Sequence, residues 1–343
     1  MRVGMAGLAA LYWPLTLGKQ LRERSDVVFP AVATLGVDDA TLRQTLGRSA
    51  LDYGSTFNVR LYDSAEEMVA AEQLDTVVLI TRHSEHAAWA ERLAALGVNL
   101  FIPKTFATIE ADAERIVQAQ KQFGVQIAVG PSARFLPPFL AVKQAIDAGR
   151  IGQPFALRLC HHHGVIDVFN PHDWYRDPAE GGPELSLGWY GIDLILHLMG
   201  SHVKSVLAEY GNFTSPDSPF MDCGRMTLRL DDGGIASFDM YFCNRFAYPA
   251  WQLEVVGPDG VLSIHRTTGG ANQTVVTLDS ADGYEVLPLP APTGARTPGW
   301  ELFWVDDFLA GRRPTIDAEQ AALITQVALA ARQSAQAGRP VTL

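Results

Sequence analysis

Four polar side chains, Ser186, Tyr190, Asp193 and His197, recur at i, i+4, i+7 and i+11 within residues 184–199. That spacing places them along one face of an α-helix, as a single polar stripe. Leu185, Trp189, Ile192 and Leu196 surround them, so the helix reads as largely buried. A buried polar group must find a partner. Here the partner is either a small molecule in a cleft or the protein's own backbone. The glycines that flank the helix favour the cleft.

Cys160-His161-His162-His163 is the second run with chemical potential. On a strand over 155–163, alternation puts His161 and His163 on the face of Phe155, Leu157 and Leu159, with Cys160 and His162 opposite. Two imidazoles at i, i+2 with Asp193 or His197 could hold a divalent metal. The spacing matches no strong ligand motif. A polar rim that hydrogen-bonds a polar ligand is the preferred reading, and no metal is expected. His172 and Trp174 fall in the loop before the helix, where a substrate lid would lie; the aromatic there either faces a ligand or is an ordinary packed tryptophan.

The elements that must position these groups divide the chain near residue 130. Strands read at 2–6, 27–33, 76–80, 98–102 and 126–129, and helices at 15–24, 85–96 and 109–123. This alternation predicts a doubly wound parallel sheet, an α/β Rossmann unit over 1–130, with ligands beyond the carboxyl ends of its strands. The first strand runs into Gly7-Leu-Ala9-Ala10-Leu-Tyr12. A dinucleotide fingerprint there has three glycines, for the tight turn, the approach to pyrophosphate and helix–strand packing. Only Gly7 is kept, and Tyr12 must point away from the strand or displace the helix. The second strand ends at Thr34 with no carboxylate for a ribose; Asp38 and Asp39 follow slightly later. NAD and NADP both stay open.

Residues 131–343 read as an α+β domain with a large, mostly antiparallel open sheet. A helix at 138–148, the strand at 155–163 and the striped helix lead into a meander punctuated by Asp231-Asp-Gly-Gly234, Gly257-Pro-Asp-Gly260 and Ala281-Asp-Gly283. These are turn sequences. A helix at 300–309 follows. The last helix, 317–337, opens at Asp317 as N-cap with Gln320 three residues on, and is expected to pack back at the domain junction.

A net charge of −11 argues against a nucleic-acid or anionic-membrane partner. No apolar run reaches the ~18 residues of a membrane span. The N-terminus lacks the features of an export signal, and three widely spaced cysteines form no disulfide framework. A cytoplasmic protein is expected.

Several further stretches carry a resemblance. They are Asp75-Thr-Val-Val-Leu-Ile-Thr81-Arg-His-Ser-Glu-His86, Phe101-Ile-Pro103-Lys104-Thr105, and Gly130-Pro-Ser-Ala-Arg134-Phe-Leu-Pro. Trp174-Tyr-Arg176-Asp, Gly181-Gly182 with Gly188 and Asp193, and Gly311-Arg-Arg-Pro314 continue the series. In this order the chain resembles the glucose–fructose oxidoreductase/inositol dehydrogenase/MocA (Gfo/Idh/MocA) family over nearly its whole length.

The resemblance implies an NAD(P)-dependent dehydrogenase or reductase that exchanges hydride with a hydroxyl-bearing carbon of a sugar, polyol or similar small molecule. It implies Lys104, Tyr190 and Ser186 as the catalytic group, with Tyr190 as acid/base. An ammonium at Lys104 beside the phenol would lower the phenol toward working pH. Gly7, Ala9, Ala10, Thr34, Thr81, His86 and Lys104 are expected along the dinucleotide. Arg134, His161, His163, Trp174, Arg176 and Asp193 are expected on the substrate side. A second copy is expected on the open sheet, giving a homodimer or homotetramer.

Pro103, Thr105 and Ser186 stand where the family has glutamate, proline and aspartate. The alternative is a member without net redox turnover: a ligand-binding relic, or a lyase, hydrolase or isomerase using the His161–His163 cluster.

Overall fold

The computed structural model describes residues 1–8, 12–163, 173–214, 219–243, 250–266, 274–290 and 301–343. The chain forms two compact units. One comprises Met1–Pro131, Phe169–Gly181 and Glu301–Thr325; the other comprises Ser132–Val168, Gly182–Trp300 and Gln326–Leu343.

The first unit begins β1 (Val3–Ala6), α1 (Trp13–Glu23), β2 (Ala31–Ala33), α2 (Asp39–Leu46), α3 (Ala50–Phe57), β3 (Arg60–Tyr62) and α4 (Ala65–Glu72). It continues β4 (Thr76–Leu79), α5 (His86–Ala94), β5 (Asn99–Pro103), α6 (Glu110–Phe123) and β6 (Ile127–Gly130). The strands form one parallel sheet in the order β3-β2-β1-β4-β5-β6. All four residues of β1, β4 and β6 are buried, as strands covered on both faces must be.

Two sequence expectations are corrected here. The second strand is only Ala31–Ala33, because Pro30 has no N–H for the ladder. A sixth strand, β3, went unread: three residues long, at the sheet edge and only partly buried, it offers no apolar run. The helices between 39 and 72 are eight residues each and were also missed.

The second unit carries α7 (Pro137–Asp147), β7 (Ala156–His162), α8 (Pro183–Met199), β8 (Val203–Gly211), β9 (Cys223–Leu230) and β10 (Ile235–Tyr241). It adds β11 (Ala250–Gly257), β12 (Gly260–Arg266), β13 (Thr274–Ser280) and β14 (Gly283–Leu287). The chain then forms α9 (Phe303–Leu309) in the first unit, the long α10 (Ala318–Ala337), and β15 (Val341–Thr342). The sheet order is β14-β13-β12-β11-β7-β10-β9-β8-β15, antiparallel except for β7 beside β10.

The three turn sequences make the hairpins β9–β10, β11–β12 and β13–β14, with Gly233 and Gly283 at positive φ. Helix α8 lies so close on the sheet that a Cβ at Gly191 would fall 2.3 Å from the Phe238 ring. Asp317 caps the last helix, its Oδ1 accepting from Gln320 N at 2.9 Å. In the first unit α9 is anchored by Trp304, stacked 4.9 Å from Phe101, and by Asp306, which accepts from Arg24 at 2.6 Å. Among the described residues no helix is long and apolar enough to cross a membrane.

Candidate active site

In the first unit the site residues gather at the carboxyl edge of the parallel sheet. Gly7 leaves β1 at φ +91°, and a Cβ there would lie 2.0 Å from Ile80 O, so the turn admits only glycine. Ala9 and Ala10 lie outside the described residues. Tyr12 precedes α1 as its N-cap, is 37% exposed and leans on the Trp13 ring at 4.6 Å. Its phenol is raised well above the ordinary value by burial, with Tyr175 and Glu301 nearby. Thr34 and Thr81 are buried at the ends of the next strands.

Lys104 closes β5, buried to 8% exposure, and its N–H donates to Gly130 O at 2.5 Å. Burial lowers its amine to about 7. The Lys104–Thr105 peptide bond is cis, as is Gly130–Pro131. His86 opens α5, with Nδ1 donating to Phe106 O at 3.1 Å, and burial drives its imidazole down to about 4. It is held neutral.

His83 was not anticipated. Its Nδ1 donates to Glu180 O at 2.6 Å, and burial, with His86 and Lys104 nearby, drives it down to about 3. The Glu180 carboxylate accepts from Ser84 N at 3.0 Å and from Ser84 Oγ at 2.7 Å. These bonds tie the segment carrying Trp174 and Arg176 to the turn after β4. Trp174 meets His83 edge-on at 5.2 Å and lies under Arg82, 5.9 Å from its ring. Arg176 ends the short turn Asp173–Arg176 and is half-buried. His172 lies outside the described residues. Glu180 stands 97 residues from His83, so no local pattern announces the contact.

The polar stripe of the second unit is real, and the fold divides it. Asp193 is fully buried and accepts from Ser132 Oγ at 2.7 Å and from the Arg134 guanidinium. Arg134 N donates in turn to Ser132 Oγ at 3.2 Å. His197, half-buried, is driven down to about 3 by burial and by Arg134 and Lys143.

Ser186 and Tyr190 are buried on the same helix. Tyr190 meets the Trp251 ring edge-on at 6.4 Å, and Trp251 stacks on His161 at 3.8 Å and 8°. His163 stands 5.5 Å from His161. Tyr190, Trp251, His161 and His163 therefore form one aromatic layer, whereas Arg134 and Asp193 are engaged with each other. Trp251 was not anticipated; a tryptophan in a strand carries no signal of its partner.

The parity of β7 is as read, with Leu157, Leu159 and His161 inside. Cys160 and His162, with Arg158, Asp239, Gln252 and Glu254, line a hollow of about 500 Å³ on the opposite face. Among the described residues no three His, Cys, Asp or Glu side chains gather to hold a metal ion.

Two family models match this architecture. Residues 34–131 match the oxidoreductase family, NAD-binding Rossmann fold, and residues 139–263 match the GFO/IDH/MocA C-terminal domain. The chain belongs to the Gfo/Idh/MocA family. Its first unit is accordingly an NAD(P)-binding Rossmann domain of the oxidoreductase type.

Among its relatives, D-apiose dehydrogenase of Paraburkholderia graminis is 30% identical over 215 residues, 62% of this chain and 56% of that enzyme's length. Myo-inositol 2-dehydrogenase of Thermotoga maritima is 21% identical over 100% of this chain and 98% of its own. An Agrobacterium radiobacter oxidoreductase, solved in complex with NAD+, L-tartaric acid and magnesium, has the same fold. Its TM-score is 0.82 at 19% identity, over 100% of this chain and 98% of that one.

Proposed function

We propose that this family member is an NAD(P)-dependent dehydrogenase or reductase of a sugar, polyol or related hydroxylated small molecule. The observation that carries this reading is Lys104, a buried amine at the carboxyl end of a Rossmann strand, lowered to about 7. The residues fit the cofactor. Gly7 gives the β1 turn its side-chain-free backbone, Thr34 and Thr81 supply hydroxyls at neighbouring strand ends, and His86 stays neutral beneath them. When bound, the dinucleotide supplies hydride exchange with a carbon bearing a hydroxyl.

The protein's residues supply the rest. Lys104 Nζ, titrating near neutrality, holds a proton against the substrate oxygen and polarises it. Tyr190 Oη takes the hydroxyl proton during oxidation and returns it during reduction. Ser186 orients the phenol, and His161 and His163 offer imidazoles to further hydroxyls. Arg176 and Trp174 belong to the substrate side; Arg134 and Asp193 of the second unit hold each other as a buried positioning pair. The names of the relatives, D-apiose and myo-inositol dehydrogenases, suggest pentoses and cyclitols as first substrates.

A second copy on the open face of the nine-stranded sheet would bury a row of strands that otherwise meets solvent. We assign the protein to the cytoplasm, where its three free thiols stay reduced.

Titration with NADH and NADPH, followed by nicotinamide fluorescence, tests the reading. Micromolar affinity is expected, and no binding at millimolar dinucleotide overturns it. With a turned-over pentose or cyclitol in hand, Tyr190→Phe should lower kcat at least ~100-fold with unchanged dinucleotide affinity. Intact turnover removes the acid/base assignment.

A further inference from the structure

Sheets of this type place the adenosine ribose beyond the second strand, where a carboxylate accepts from its hydroxyls. Thr34 occupies that strand end in this chain. The two carboxylates that follow in sequence are committed elsewhere. Asp38 caps α2, accepting from Thr41 N at 2.8 Å and Thr41 Oγ1 at 3.2 Å. Asp39 Oδ1 accepts from Ala50 N at 2.9 Å, where α3 begins.

A third carboxylate arrives from another strand. Thr34 N donates to Tyr62 O at 2.8 Å, which brings the next residue, Asp63, beside it at the sheet edge. The Thr34 hydroxyl lies 3.4 Å from Asp63 Oδ1 and 3.5 Å from Tyr62 O, its one proton shared between the two acceptors. Asp63 is exposed, and among the described residues its carboxylate meets Thr34 alone. Gly7 N donates to Ala33 O at 2.9 Å. The β1 turn, Thr34 and Asp63 thus succeed one another along the carboxyl edge at strand spacings of about 4.8 Å. The arginines nearest in sequence face other partners: Arg43 pairs with Asp52 and Arg60 with Glu72.

We propose that Asp63, delivered by β3, is the carboxylate that clasps the adenosine ribose and makes this chain select NAD over NADP. The inference rests on the dinucleotide reading above. Two hydroxyls donate to one carboxylate, oriented by the Thr34 hydroxyl, and such charge-assisted bonds are the strong ones. A ribose 2′-phosphate would instead meet a like charge, with Arg43 and Arg60 paired elsewhere among the described residues.

Equilibrium titration with NADH and NADPH, read by nicotinamide fluorescence, provides the test without any substrate. The parent protein should bind NADH at least ~30-fold more tightly than NADPH. Asp63→Asn should weaken NADH about tenfold and bring the two affinities within a few-fold of each other. Its thermal unfolding without ligand should match the parent, because the residue is exposed. An NADH/NADPH ratio that ignores residue 63, or a parent that prefers NADPH, overturns the inference while leaving the dinucleotide reading intact. A parent that binds neither dinucleotide overturns both.

Discussion

At the scale of single residues, Lys104 links chemistry to stability most directly. The unfolded chain keeps this amine protonated up to about pH 10.5, and the folded one releases the proton near 7. Between those values the unfolded state holds one more proton, so stability contributed at this position rises with pH. Below pH 7 the folded protein carries a desolvated ammonium at full cost. Lys104→Met should therefore raise stability by on the order of 3 kcal/mol at pH 6, with the gain shrinking toward zero by about pH 10.5. Urea unfolding across that range measures it, and turnover should be lost at every pH. A variant no more stable than the parent at pH 6 would mean that the amine is well solvated. The sequence singled out Lys104 by its place at a strand end within a family pattern; the depth of its burial comes from chain segments far from residue 104.

At the scale of elements, α8 shows how a correct pattern can mislead about partners. Spacing alone predicted one polar face, and the helix has it. The assignment of Asp193 to substrate rested on that face meeting a cleft. The fold instead brings Ser132 and Arg134 onto it. Breaking such a pair leaves a buried charge alone. Asp193→Asn should cost about 3–5 kcal/mol, and Arg134→Met with Asp193→Leu should recover most of the loss. Thermal or urea unfolding of the three variants decides the matter. Should Asp193→Asn unfold like the parent and only raise KM, Asp193 belongs with the substrate. The missed strand β3 makes the complementary point: edge strands are stabilised by one neighbour's ladder rather than by an apolar run, so composition does not reveal them.

At the scale of the whole molecule, acid sensitivity should reflect imidazoles held neutral by the fold, His83 and His86 in the first unit and His197 in the second. His83 and His86 titrate at about 3 and 4 when folded and near 6.5 when unfolded. Within that window the unfolded state binds more protons, so stability falls as pH drops from 6.5 toward 4. Three protons give a slope approaching about 4.1 kcal/mol per pH unit, His197 at about 3 supplying the third. His83→Asn should flatten the slope by about a third, measured by urea unfolding at pH 6.5, 5.5 and 4.5. An unchanged slope would show that His83 is hydrated before the molecule unfolds. Nothing in the local sequence marks these histidines as neutral. The state of His83 and His86 follows from Glu180 and Phe106, which the chain brings back over them.

By itself the sequence determined the alternation of strands and helices, the hairpin turns, the caps, the parity of β7 and the family. Each depends on periodicity or on backbone chemistry within a few residues. Tertiary structure decided which polar groups face one another: His83 with Glu180, Asp193 with Arg134, Thr34 with Asp63. Desolvation and hydrogen bonding act through space, and two side chains tens of residues apart have no shared environment until the chain has folded.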